Sequence, residues 1–210
     1  MRRLALYTDT MAAPDLHRLA ESGRLWAWSV SALEDDGLRR AAVALQDGYA
    51  FNVNLALWSV WAARLGYVLR DEEVVEIVEG VQAMDRYVVR RLREVRRYLA
   101  APKPGYPLSD LARLRTETYE AELAGERLVQ LRLEAATLPF AIDETRSEEG
   151  GRHHARRLFT LCQRQLENPV VLADELGPEG PGALFATVLD LAPDPRGFAG
   201  AEGKRERDDA

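Results

Sequence analysis

The chain has 210 residues, 47% hydrophobic and 30% charged, with a formal net charge of −6 and one cysteine. That apolar content suffices for a core and excludes wholesale disorder. No apolar run approaches the roughly 18 residues of a membrane helix, and Cys162 alone builds neither a disulfide framework nor a multi-cysteine metal site. One cytoplasmic domain without membrane contact is expected. Lysine occurs only at Lys103 and Lys204 and isoleucine only at Ile77 and Ile142, the skew of a GC-rich genome, so abundant arginine is weak evidence of anion binding.

Residues 1–14 read as a flexible start; residues 1–10 are also a candidate for a misassigned one, because the apolar-periodic chain begins only after Met11. Asp15 to Glu21 is a short lead-in helix. Arg24 to Leu33 carries Trp26, Val30 and Leu33 at helical spacing. Asp36 is placed to cap a helix from Gly37 to about Asp47, with Leu38, Ala41, Ala42 and Leu45 on one face. Asn52 caps the next, ending near Gly66. It is apolar nearly all round from Val53 to Ala62, which puts it in the middle of a bundle.

Asp71 then caps a long helix to about Ala100 whose stripe is Val74, Ile77, Val78, Val81, Met84, Val88, Leu92, Val95 and Leu99. After the proline-stiffened loop Ala101 to Pro107, Ser109 caps a second long helix to about Thr137, with Leu111, Leu114, Ala121, Gly125 and Leu128 at near-heptad spacing. Two long helices joined by a short loop make an antiparallel hairpin. Leu138 to Gly151 reads as a polar loop, followed by helices near Arg152 to Glu167, Pro169 to Leu176 and Gly182 to Leu191. Residues 193–210 read as a disordered tail. With no period-two alternation, the fold class is all-α: one compact helical bundle over residues 15–192, with a long antiparallel hairpin and short C-terminal helices.

Three constellations carry chemistry. Gln46, Asp47, Asn52 and Asn54 lie beside Trp26, Trp28, Trp58 and Trp61. They form either a small ligand pocket walled by indoles, for which Trp26 and Trp58 join the four polar residues, or a set of caps and core tryptophans. The structural reading is preferred, since buried polar groups normally serve the fold. Arg86, Arg90, Arg93 and Arg97, spaced four, three and four, offer a surface for an anion, nucleic acid or acidic partner. Glu72, Glu76 and Glu79 open the same stripe, so acid precedes base as the helix dipole favours; a solvated face is preferred and nucleic acid disfavoured. Arg152, His153, His154, Arg156 and Arg157 make a basic, protonation-sensitive patch, and the spacing of His17, His153 and His154 suits no metal.

Catalytic residues are not identified. Cys162 sits among apolar residues as a small hydrophobe, and no nucleophile elbow, phosphate loop or dinucleotide fingerprint occurs. Glu117, Glu120, Glu122 and Glu126 are expected to pair with Arg113, Arg115 and Arg127 on their own helix.

Trp26-x-Trp28-Ser29, Leu45-Gln46-Asp47 and Asn52-Val53-Asn54-Leu55-x-Leu57-Trp58, in that order, resemble an uncharacterised proteobacterial family of small helical proteins carrying a domain-of-unknown-function label. The resemblance covers about Leu25 to Ala100 well and Ser109 to Ala136 weakly. It implies a cytoplasmic all-α protein without assigned activity, and no catalytic residue carries over. The balance leans against an enzyme and toward a non-enzymatic module that binds a cytoplasmic protein partner, with a homodimer as one option and no cofactor. The alternatives are a small-ligand protein or enzyme at Gln46, Asp47, Asn52 and Asn54, and an anion binder on the arginine stripe.

Overall fold

The computed structural model describes residues 23–164 and 180–198. Eight α-helices are described: α1 (Arg24–Ala32), α2 (Asp36–Tyr49), α3 (Val53–Arg64), α4 (Asp71–Met84), α5 (Arg90–Tyr98), α6 (Leu108–Thr137), α7 (Glu148–Arg164) and α8 (Pro181–Leu191). One π-helical turn, Asp85–Val89, joins α4 to α5, and a 3-10 turn, Pro195–Gly197, follows α8. The fold is all-α, as expected. The described residues hold no strand, only an antiparallel bridge between Tyr67 and Ile142. The expected helix at 169–176, the lead-in at 15–21 and residues 1–14 lie outside the described residues.

Helix α3 is the centre. Every residue from Asn54 to Ala63 is buried, and α1, α2, α6, α7 and α8 pack around it. Trp28, Trp58 and Trp61 are fully buried, and Phe159 joins Phe51 at 4.4 Å between ring centroids to Phe185 at 3.7 Å. Aromatic rings dominate this core because each buries a large apolar area. The Asn52 side chain accepts from the Asn54 N–H at 2.9 Å, the cap expected for α3. Gly66, at φ +88°, turns the chain out of α3, where a Cβ would lie 2.6 Å from the Asp143 carbonyl oxygen.

Several expectations shift. Helix α1 buries Leu25, Trp28, Ser29 and Ala32, while Val30 is exposed and Trp26 half-buried, so its core face is rotated from the one expected. Asp35, not Asp36, caps α2, accepting from the Leu38 N–H. Asp71 is the first residue of α4 rather than its cap; Glu73 reaches back to the Arg70 N–H at 2.8 Å. Pro107, not Ser109, precedes α6, and no side chain caps it. Helix α7 starts at Glu148, shortening the expected loop. The chain beyond Ala192 is described to residue 198, and the Pro193 carbonyl accepts from Trp28 Nε1 at 2.9 Å.

The long hairpin is present and antiparallel: Gly80 neighbours Arg132, Val89 neighbours Gly125, and Arg96 bonds Glu122. Val74, Ile77, Val78, Val81 and Leu99 are buried as expected, but the packed face departs from the expected stripes around and beyond the π turn. The π turn adds a residue to one helical turn and re-aims all that follows. Asp85 and Val89 therefore point inward, while Val88 and Val95 are exposed. On α6 the buried series is Leu111, Thr118, Glu122, Gly125 and Val129, and Leu114 and Leu128 are about half exposed. Of the near-heptad stripe, Leu111 and Gly125 are packed while Leu114, Ala121 and Leu128 are exposed. No described helix is long and apolar enough to cross a membrane.

Candidate functional site

The expected ligand cluster does not converge on a cavity. Asn52 is spent on its cap. Asn54 Oδ1 accepts from Gln130 Nε2 at 2.8 Å. Trp58 donates from Nε1 to Thr137 Oγ1 at 2.9 Å. Gln46 donates to Asp47 at 3.3 Å, and Asp47, 49% exposed, pairs with Arg97. Trp26 makes no polar side-chain contact among the described residues and lies on α1, where Trp28 takes the core position. The structure thus separates Gln46 and Asp47, at the surface, from Asn52, Asn54 and Trp58, inside.

What organises the interior is a polar face of α6 that the sequence reading missed. Gln130, Glu134 and Thr137, at spacings of four and three, lie on one side of the helix. Glu134 accepts from the N–H groups of Arg24 at 3.2 Å and Leu25 at 3.0 Å, capping α1 from over 100 residues away. Burial raises its pKa, against the pull of those two bonds and of the Arg24 charge. A carboxylate in the last turns of a helix opposes the dipole, which is the sequence signal that could have marked Glu134.

The arginine stripe is largely consumed by the fold. Arg90 Nε donates to Asp85 Oδ2 at 2.7 Å, and Arg97 pairs with Asp47. Arg93, 12% exposed, donates to Glu122 at 2.9 Å and Glu126 at 2.6 Å; Arg86 lies 5.9 Å from the centroid of the Tyr87 ring. Arg96 adds a second guanidinium on Glu122 at 2.5 Å. Glu122 and Glu126 thus reach across to α5 rather than pairing along α6 as expected. Burial works against the Glu122 carboxylate, but the hydrogen bonds and charges of Arg96 and Arg93 outweigh it and lower its pKa. Glu126 goes the other way: its burial outweighs Arg93 and raises its pKa.

The basic patch on α7 is also tied down. Arg157 donates to the Leu69 carbonyl at 2.9 Å and pairs with Asp71, and Arg152 pairs with Asp190. Burial, then the charges of Arg146 and Arg157, push the His154 pKa down to about 4. Cys162 is fully buried and its thiol is pushed up to about 12. The described residues hold no group of three or more His, Cys, Asp or Glu able to take a metal.

Two concavities stand out among the described residues. A cleft of about 350 Å³ lies between the ends of α3 and α8 and the start of α7, lined by Arg64, Arg146, Glu148, Arg152, Asp194 and Arg196. Its arginines serve as straps: Arg64 donates to the Leu189 carbonyl at 2.6 Å and to that of Ala192, and Arg196 donates to the Arg64 carbonyl at 3.1 Å. An open groove between α2 and α8 is lined by Gly37, Ala41, Ala44 and Gly48.

The most distinctive surface is the arm made by α5 and the first half of α6. Helix α5 has no buried residue, and residues 108–117 are exposed except Leu111. Residues 24–133 match the model of a family described as "Protein of unknown function (DUF2390)". The chain belongs to that family. The DUF2390 region spans more than half of the chain and contains α1 to α5, the whole arm and the central helix; α7 and α8, which close the core, lie beyond it. No curated protein and no solved structure matches the chain.

The exposed surface of the arm carries part of each apolar stripe: Val88 and Val95 from the first, and Leu114, Ala121 and Leu128 from the second. A methyl on Gly125 would sit 3.1 Å from the buried Val89 and 3.8 Å from Val88, so Gly125 lies in the seam between the helices and Val88 at the edge of that seam. Leu92 and Val95 follow Val88 along α5; Leu114, Ala121 and Leu128 follow along α6. Tyr98, Tyr106 and Leu108 are exposed at the tip, where Lys103 Nζ lies 3.6 Å over the Tyr98 ring.

Proposed function

We propose that this chain is a non-enzymatic protein-interaction module that docks a helical protein surface on the outer side of its α5–α6 arm. One observation carries the reading. Of fifteen exposed large hydrophobic residues among those described, nine lie between Tyr87 and Leu128, about a quarter of the described chain. Concentrated apolar exposure marks interaction surfaces. The spacing of three and four along both helices suits a partner that is itself helical. The absence of a converged polar pocket at Gln46, Asp47, Asn52 and Asn54 removes support from a ligand site there, and the carboxylate pairing of Arg90, Arg93 and Arg97 removes support from an anion surface.

The test compares the full chain with the variant Val95→Glu/Leu114→Glu in cross-linked pull-downs from host lysate. Each captured protein is then purified and titrated against both forms. Saturable binding of a purified partner, at least 50-fold weaker for the variant with its helicity unchanged, supports the reading. Equal binding by both forms, or no saturable binding by the wild type to any protein including itself, overturns it.

A further inference from the structure

We propose that the partner seated on the arm is a second copy of this chain, docked about a two-fold axis at Ala121. The inference rests on the docking reading above and names the occupant of the same surface.

The argument is the symmetry of the α6 stripe. At 100° per residue, Asp110, Leu114, Ala121, Leu128 and Arg132 fall within an arc of about 40° beside the buried face of the helix. Leu114 and Leu128 stand seven residues either side of Ala121, about 10 Å away in each direction. Asp110 and Arg132 stand eleven residues either side, about 16 Å away. The stripe is therefore acid, leucine, small, leucine, base. A two-fold axis through Ala121 lays α6 antiparallel on its copy and superposes this pattern on its own complement. Leu114 then meets Leu128 of the other copy, Asp110 meets Arg132, and Ala121 lies against Ala121. Closed dimers need such a self-complementary patch, in which each residue contacts the counterpart of its own partner.

The remaining groups fit. Ala121, which is exposed, removes side-chain bulk at the crossing, which lets the backbones approach. Both terminal charges lack a strong partner at home. Asp110 reaches Arg113 only at 3.8 Å, and Arg132, lying along Gly80, has no carboxylate partner among the described residues. Val88, Leu92 and Val95 widen the apolar strip, and the buried Glu122 with the partly buried Arg93, Arg96 and Glu126 stays between α5 and α6.

Single-cysteine cross-linking of the otherwise wild-type chain tests the register, because the native Cys162 is buried and unreactive. Ala121→Cys is expected to form an intermolecular disulfide under mild oxidation. Leu114→Cys alone is expected not to, since its two copies lie about 21 Å apart along the axis. A mixture of Leu114→Cys and Leu128→Cys chains is expected to cross-link. Sedimentation equilibrium gives the second readout: Asp110→Arg or Arg132→Asp alone weakens the dimer at least 5-fold, and the double variant restores it. A monomer at 100 μM with no Ala121→Cys disulfide overturns the proposal while leaving the docking reading standing if the Val95→Glu/Leu114→Glu variant still loses a different purified partner. A dimer in which Ala121→Cys stays reduced, or in which the double charge swap is the weakest of all, also overturns it.

Discussion

Arg93 donates from Nε to Glu122 at 2.9 Å, and this bond spans the two long helices rather than running along either one. Glu122 is 4% exposed and holds Arg96 as well, so the arm is cemented internally by charge while Val88, Val95, Leu114 and Leu128 are exposed. Beyond the π turn this departs from the expected hairpin, in which apolar stripes face each other and charges face water.

Removing Glu122 leaves two guanidiniums short of their main acceptor. Glu122→Ala is expected to cost about 3 kcal/mol, the scale for breaking one side of a buried ion pair. Urea unfolding monitored by circular dichroism reads the change; a loss below about 0.5 kcal/mol contradicts the packing described. The folded carboxyl lies below its ordinary value, so its contribution is complete above the unfolded pKa and disappears as pH falls through the lower folded value. Glu122→Gln should flatten that acid limb.

His154 gives a separate window. Its pKa falls from 6.5 to about 4 in the folded chain, so between those values the unfolded state binds more protons and stability rises with pH. In His154→Gln this slope should be shallower than in the wild type. Urea midpoints at half-unit steps from pH 4 to pH 7 measure it, and parallel curves would show that His154 is not the group responsible.

Gly125 is where α6 passes the π turn. Alanine there removes the roughly 1 kcal/mol helix penalty of glycine but sets a methyl 3.1 Å from Val89, and the two effects are expected to cancel within about 1 kcal/mol. Gly125→Leu has no such balance and should destabilise by about 2 kcal/mol or more. Equal melting temperatures for Gly125→Leu and wild type would mean that the helices do not approach here.

Asn54→Ala is expected to cost about 2 kcal/mol, because it strands the buried Gln130 amide without its acceptor. Binding to any partner should stay unchanged once folding is accounted for. An effect on binding without one on stability would return the polar cluster to candidacy as a site.

Cys162 should not react with a thiol reagent in the folded chain and should react fully in 6 M urea, since only the thiolate attacks and burial holds the thiol up to about 12. Fast labelling of the native protein would contradict its placement.

Much of the fold was legible because local physics decides it. The all-apolar run from Val53 to Ala62 could only be central, and proline-free windows allowed long helices between polar loops. The face Leu38, Ala41, Ala42 and Leu45 is buried as its spacing requires. The site was less legible. Asn52 and Asn54 looked like pocket chemistry because a sequence does not show that Gln130 waits 76 residues away. Arg93 looked solvent-facing because nothing in the spacing announces the π turn that rotates it onto Glu122.

Sequence alone thus determined helix class, helix order, the central element and the existence of two apolar stripes, all of which follow from side-chain periodicity along a fixed 3.6-residue turn. Tertiary structure alone decided which face each long helix presents. Rotation about a helix axis is free until long-range partners fix it: Glu134 on the N–H groups of α1, Gln130 on Asn54, Thr137 on Trp58, and Glu122 between two arginines. Those buried polar contacts must be satisfied, so they set the rotation, and Val88, Val95, Leu114 and Leu128 were left exposed while Val74, Ile77, Val78 and Val81 stayed packed.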